Sequence, residues 1–103
     1  MSGIAIIAAE RTRQINKEKW TAGHDDEHTD GQLAIAAAVY ATPDEHRLYR
    51  GQAPRSEAVP HEWPWGDEWW KPTPKNRLRE LAKAGALIAA ELDRLLRVAE
   101  DEP

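Results

Sequence analysis

Apolar positions fall at helical spacing in two parts of this chain, on either side of a long stretch with no period. Ile4, Ile7 and Ala8 recur on one face, with Ile15 lower on a similar face, and predict a first helix over 4–20. The polar runs Glu10-Arg-Thr-Arg-Gln and Asn16-Lys-Glu-Lys require one side of that helix to be wet. Thr21-Ala-Gly23 stops it, with Gly23 able to take a positive φ. Leu33, Ala36, Ala37 and Tyr40 form the stripe of a second helix over 30–41, opened by a Thr29/Gln32 capping box and ended by Pro43. The third helix, 74–99, has Pro74 in its first turn and Thr73 as its cap. Its apolar residues Leu78, Leu81, Gly85, Ile88, Leu92, Leu95 and Ala99 alternate steps of three and four, a heptad-like seam. Gly85 in mid-helix predicts close approach of another backbone or a Trp ring, and Asp93 and Arg97 can pair one turn apart.

Residues 42 to 74 carry six prolines and no helical period. A connection this long is either functional or disordered. Its second half, HEWPWGDEWWKP, holds four tryptophans in eight residues, whereas disordered segments are poor in aromatics. The expectation is that 47–60 is mobile and 61–72 is pinned by buried indoles. The fold class expected is therefore all-α: one domain, 1–103, of three antiparallel helices with a long Trp/Pro-rich loop, 42–73, between the second and third.

Composition sharpens this picture. The 41% of hydrophobic residues leans on alanine, and with five Trp and no Phe the aromatic surface sits in a few large rings. Such a core is marginal at 103 residues, and the seam on the third helix is longer than a short partner helix can cover, so a homo-oligomer is expected. The net charge of −4 argues against generic nucleic-acid binding, which needs a concentrated basic face. Without cysteine there are no disulfides or thiolate metal sites, in keeping with a cytoplasmic location. The longest apolar run, Ile4–Ala9, is too short for a membrane span and lacks the flanks of a signal peptide.

The polar motif GHDDEH, Gly23 to His28, is read as a turn that leads into the second helix, with Asp25 and Asp26 offering charge to the helix dipole. His24 and His28 are the members left over for another role. Read literally, His24 to His28 also matches the H-x-x-E-H pattern of a zinc peptidase class. A broader carboxylate-plus-histidine site would draw on Asp25, Asp26, Glu27, Asp30 and His28, with Asp25, Asp26 and His28 the first choices for a divalent metal. No cofactor is expected. The tryptophans divide between stapling the loop onto an alanine-rich core and lining a cleft where a flat ring stacks, with Lys71, Lys75 and Arg77 near for phosphate.

ERTRQINKEKWTAGHDDEHTDGQLAIAAAVYA, the Pro-rich middle, WPWGDEWWKP and RLRELAKAGALIAAELDRL together resemble a family of small proteins encoded by phages and prophages. That resemblance implies a viral setting, inside an infected or lysogenic bacterial cell, and no particular chemistry. Arg13-Gln14, Lys19-Trp20 and His24, then a helix opening with Gly31-Gln-Leu33 and the segment RELAKAGALIAAELDRL, are similar to small MazG-like nucleotide pyrophosphohydrolases. Those enzymes hold Mg²⁺ with E-E-x-x-E on one helix and E-x-x-D on another. Here GQLAIAAAVYA has no glutamate and Glu91-Leu-Asp93 has a different spacing. A Trp-containing turn after a helix, then a polar stretch and a Lys/Arg-led helix, is similar to RyR domains. Bacterial examples of those imply recognition of nucleotide-derived ligands.

Three functions follow as expectations. The first is binding of a nucleotide-like small molecule, as a sponge for a nucleotide-derived host immune signal. Trp20, His24, His28, Tyr40, Trp63, Trp65, Trp69, Trp70 and Lys71 are the candidate lining. The second is a protein-binding inhibitor of a host enzyme, acting through an acidic surface. The third is Mg²⁺-dependent nucleotide pyrophosphohydrolysis.

Overall fold

The computed structural model describes residues 1–101. They are mostly helical, with no β-strand among them: α1 (Gly3–Asn16), α2 (Ala22–Asp26), α3 (Gln32–Ala41) and α4 (Arg77–Asp101). The all-α expectation holds at that level, but there is one helix more than the sequence periodicity indicates. The long connection from α3 to α4 contains two 3₁₀ turns, Asp44–His46 and Asp67–Trp69, and one isolated antiparallel bridge between Tyr49 and Pro60. α4 is the spine against which the other three helices pack.

α1 opens on Ser2, whose hydroxyl accepts from the Ala5 N–H at 3.1 Å. Its inward residues include Glu10 and Gln14, both buried, with Ile7, while Ile4 and Ile15 are exposed. The polar run expected to be wet is therefore split. Glu10 goes inside because Arg13 clasps it with Nε at 3.0 Å and Nη2 at 2.7 Å. The helix also ends four residues before Trp20. Lys19, at φ 62°, takes the left-handed conformation expected of Gly23, and the Trp20 N–H closes the turn on Gln14 O at 3.1 Å. That conformation costs an L residue about 1–2 kcal/mol and swings Trp20 out of the helix.

The stripe read for α3 is the buried one: Leu33, Ala36, Ala37 and Tyr40, with Val39 added. Its start differs. Gly31, at φ 79°, is the cap, and Gln32 Oε1 accepts from the Asp30 N–H at 2.8 Å rather than from Thr29, so the expected Thr29/Gln32 capping box does not form. At α4, Asn76 Oδ1 accepts from the Arg79 N–H at 3.1 Å, which makes Asn76 the cap and leaves Thr73 and Pro74 in the preceding turn. The seam on α4 points largely outward: Leu78, Leu81, Ile88, Leu92 and Leu95 are exposed. The inward face is Glu80, Ala84, Leu87, Ala90 and Arg94, because small side chains let the alanine-rich α3 approach closely. Gly85 is a close-approach position as expected, but its neighbour is Ile7, whose Cδ1 lies 2.5 Å from where a Cβ would stand.

Trp63 and Trp70 from the loop complete the core over Tyr40, with ring centroids 5.5 and 4.9 Å from the phenol. Trp63 Nε1 donates to Gly66 O at 3.2 Å, and the Lys71 N–H donates to the Tyr40 hydroxyl oxygen at 3.2 Å. Burial pushes the Tyr40 phenol up to about 12, so it stays neutral. Residues 47–60, expected to be mobile, are held at both ends. The Arg50 N–H donates to Val59 O and the His61 N–H to Leu48 O, and Arg47 is buried against α3 and α4. Arg47 donates to Val39 O at 3.0 Å, Tyr40 O at 3.1 Å and Glu80 Oε1 at 3.0 Å, and its guanidinium lies over the Trp70 ring. Glu80 also accepts from the Thr73 N–H at 3.1 Å.

Removing one member of such a pair leaves the other charge buried and unpaired. Glu80→Ala should therefore cost about 3–5 kcal/mol in urea unfolding, well above the cost of Glu80→Gln, which keeps an acceptor. A loss under about 1 kcal/mol would show that Arg47 does not depend on this carboxylate.

Candidate functional site

The motif GHDDEH, expected as a turn, is helical over Gly23–Asp26, with Glu27 as the C-cap and His28 just beyond it. α2 is capped by the Thr21 hydroxyl, which accepts from the His24 N–H at 3.4 Å. Its two aspartates tie it down on opposite sides. Asp25, fully buried, accepts from Arg11 Nη2 of α1 at 2.9 Å, and Asp26 accepts from Arg97 Nη2 of α4 at 2.7 Å. Arg97 thus serves α2, not Asp93. Two ion pairs to two different helices fix the position of a five-residue helix that could not persist alone.

With α2 held there, His24 and His28 lie one turn apart, with rings 4.9 Å centroid to centroid. The Trp20 ring is parallel to His24 within 3° at 6.0 Å, and Trp65 stands 5.0 Å from His28 and 6.3 Å from Trp20. These four rings, with Trp69 and the backbone of Gly66, enclose an open cavity of about 250 Å³. Trp69 is nearly half exposed at its mouth. The Asp25 carboxylate lies 3.3 Å from His24 Nδ1, which favours the tautomer with the proton on Nδ1 and leaves Nε2 as an acceptor. His28 is held below its ordinary value by burial and by the nearby His24, partly countered by Asp25, Glu27 and Glu91. The Trp65 indole N–H is shielded and has no hydrogen-bond partner among the described residues.

Five of the nine candidate ligand residues therefore converge: Trp20, His24, His28, Trp65 and Trp69. Tyr40, Trp63 and Trp70 belong to the core beneath them. Lys71 lies outside the cavity, its Nζ 5.6 Å from the Trp69 ring and 3.5 Å from Glu18. The metal candidates Asp25, Asp26 and His28 do not form a ligand set. Each aspartate is engaged by an arginine, and among the described residues no three His, Asp or Glu side chains are grouped to hold an ion. The sequence reading missed Gly66, Arg11 and a second recess beside the cavity. Lined by Arg13, Gln14, Glu18, Trp20, Trp69, Lys71, Arg79 and Lys83 among others, that recess has a volume of about 80 Å³. The signal for Arg11 lay in the spacing Ile7, Arg11 and Gln14, which puts the arginine beside the buried face.

Because His28 is depressed in the folded state, the unfolded chain takes up its proton first as the pH falls. The contribution of neutral His28 is complete above its ordinary value of 6.5 and is lost as the pH drops below that. Urea midpoints measured from about pH 8 to about pH 5 should fall on the acid side, and His28→Asn should flatten that part of the curve. An unchanged slope in the variant would place the titration elsewhere. No protein-family model, curated protein or solved structure matches this chain, so its function is to be read from the chemistry of the pocket itself.

Proposed function

We propose that this protein binds a small nucleotide-like molecule by its flat ring, in the cavity formed by Trp20, His24, His28, Trp65 and Trp69. The observation that carries the reading is the convergence of five aromatic side chains from two separate stretches of chain, 20–28 and 65–69, on one open cavity. Stacked indoles and imidazoles present π-faces that take a planar heterocycle, and His24 Nε2 offers an acceptor for an amino edge. Among the described residues no three His, Asp or Glu side chains are grouped to hold the metal that pyrophosphohydrolysis would need, and the reading offered is capture of a ligand. In the viral setting implied by the sequence resemblance, such a binder is a sponge for a nucleotide-derived immune signal of the host. No helix of the described residues is long and apolar enough to cross a membrane.

The outward stripe of α4 supports a second component of the same reading, pairing with a second copy. Leu78, Leu81, Ile88, Leu92, Leu95 and Leu96 are all exposed along roughly 27 Å of helix. Ile7 of α1 covers the stripe at Gly85, and beyond it Ile88, Leu92 and Leu95 follow in steps of four and three with no charge among them, a pattern an identical helix can match knob into hole. Light scattering should give a dimer mass, and Leu92→Glu should give a monomer that still binds the ring ligand. A monomeric wild-type protein would instead leave this face to a different protein, which is the alternative reading, an inhibitor of a host enzyme.

The tryptophans separate the two roles cleanly. Trp69→Ala, at the cavity mouth, should abolish ring binding with little change in the unfolding midpoint. Trp63→Ala or Trp70→Ala, in the core, should cost about 3–5 kcal/mol of stability. The check is isothermal titration with purine and pyrimidine nucleosides and nucleotides beside urea unfolding of each variant. Binding that survives Trp69→Ala and Trp20→Ala alike would sink the proposed site.

A further inference from the structure

Beside the aromatic cavity lies the smaller polar recess, and the two adjoin because Trp20 and Trp69 line both. Four cationic side chains meet there: Arg13, Lys71, Arg79 and Lys83. Their only carboxylate in the lining is Glu18, which accepts from Arg13 Nη1 at 3.1 Å and lies 3.5 Å from Lys71 Nζ. Arg13 is further engaged by Glu10. Arg79 and Lys83 have no carboxylate within ion-pair distance among the described residues. Lys83 is 93% buried, with the Lys71 carbonyl at 2.6 Å and the Tyr40 ring as its neighbours. An ammonium and a guanidinium thus line one recess without an ion pair of their own among the described residues, the Glu10 and Glu80 carboxylates acting on Lys83 only from a distance.

That arrangement is costly unless an anion visits it, since like charges held together in a partly desolvated site repel. Glu18 already shows that a carboxylate is accommodated between Arg13 and Lys71. Size restricts the choice further. The recess is small, about 80 Å³, which suits one tetrahedral anion. The cavity beside it, at about 250 Å³, is below the usual range of sites for drug-sized ligands and suits one ring system.

We propose that the ligand seated in the aromatic cavity carries a single phosphate, which lies in the adjoining recess among Lys71, Arg79 and Lys83. The preferred ligand class is thus a nucleoside monophosphate. This rests on the ring-binding reading above and adds to it the anion subsite and the number of phosphates. Arg79 and Lys71 are the specificity residues, and Glu18 is the internal anion that the phosphate competes with.

The test compares the four ribonucleosides with their 5′-monophosphates and 5′-triphosphates by isothermal titration on the intact protein. At least one monophosphate should bind about ten-fold or more tightly than its own nucleoside, with the triphosphate no better. Lys71→Gln/Arg79→Gln should remove that advantage while leaving nucleoside binding in place, and Lys75→Gln, outside the recess, should not. Glu18→Gln frees Lys71 and should tighten the monophosphate alone. Nucleoside and monophosphate binding equally, or the double variant retaining the difference, would overturn the phosphate subsite and leave the ring site standing. Failure of every nucleoside and nucleotide to bind would overturn the ring site as well. Because Lys71 and Arg79 are not in the core, circular dichroism of the double variant should match wild type, which keeps loss of fold apart from loss of charge.

Discussion

A core built on alanine constrains everything else in this molecule. Ala36 and Ala37 of α3 face Ala84 and Ala90 of α4, so the helices come close but remove little apolar surface from water. The missing surface is supplied by Trp63 and Trp70, two large rings that arrive from a connection without regular structure. Each must be delivered accurately, and the backbone that delivers them must have its polar groups satisfied. Arg47 and Glu80 answer the second need. Buried between α3, α4 and the loop, they take up carbonyls of Val39 and Tyr40 and the N–H of Thr73, and they fix both ends of the connection to the spine.

The cavity follows from that requirement. WPWGDEWW places its tryptophans in different surroundings: the first and last, Trp63 and Trp70, go down into the core, while the middle two, Trp65 and Trp69, are left at its edge. Opposite them stands α2, held by Arg11–Asp25 and Arg97–Asp26, with His24 and His28 turned toward the loop. The pocket is thus a by-product of core construction that has been furnished with histidines, a shielded unpaired indole N–H and a neighbouring set of cations. A structural role explains Trp63 and Trp70, and also Lys83, which ties the Lys71 carbonyl of the loop to α4.

Much of this was legible in the sequence. The α3 stripe could be read from the spacing of its largest residues, Leu33 and Tyr40, although the helix is apolar all round and Val39 was missed for that reason, and Gly85 could be read as a contact point because glycine in mid-helix otherwise weakens the helix. The membership of the pocket was half visible: Trp20, His24, His28, Trp65 and Trp69 stood among nine candidates, but nothing local separates Trp65 from Trp63. Which indole is buried depends on where the loop turns in space. The α4 seam misled for a related reason. Leucine spacing records a face capable of burial, whereas the inner face was chosen by the fit of alanine against alanine. Charges were the hardest to place. Glu10, Glu80, Asp25 and Arg47 are typical surface residues, and each is buried only because a partner far along the chain or one turn away completes it.

The central claim is that the aromatic cavity exists to hold a small molecule. Native mass spectrometry of protein purified without denaturation, and again after exposure to bacterial cell extract, tests it most directly. The account predicts a mass increment that is released on denaturation, absorbs like a nucleobase, and is absent when Trp20 and Trp69 are both replaced by alanine. A bare protein mass after both treatments, from a chain that is folded, would contradict it.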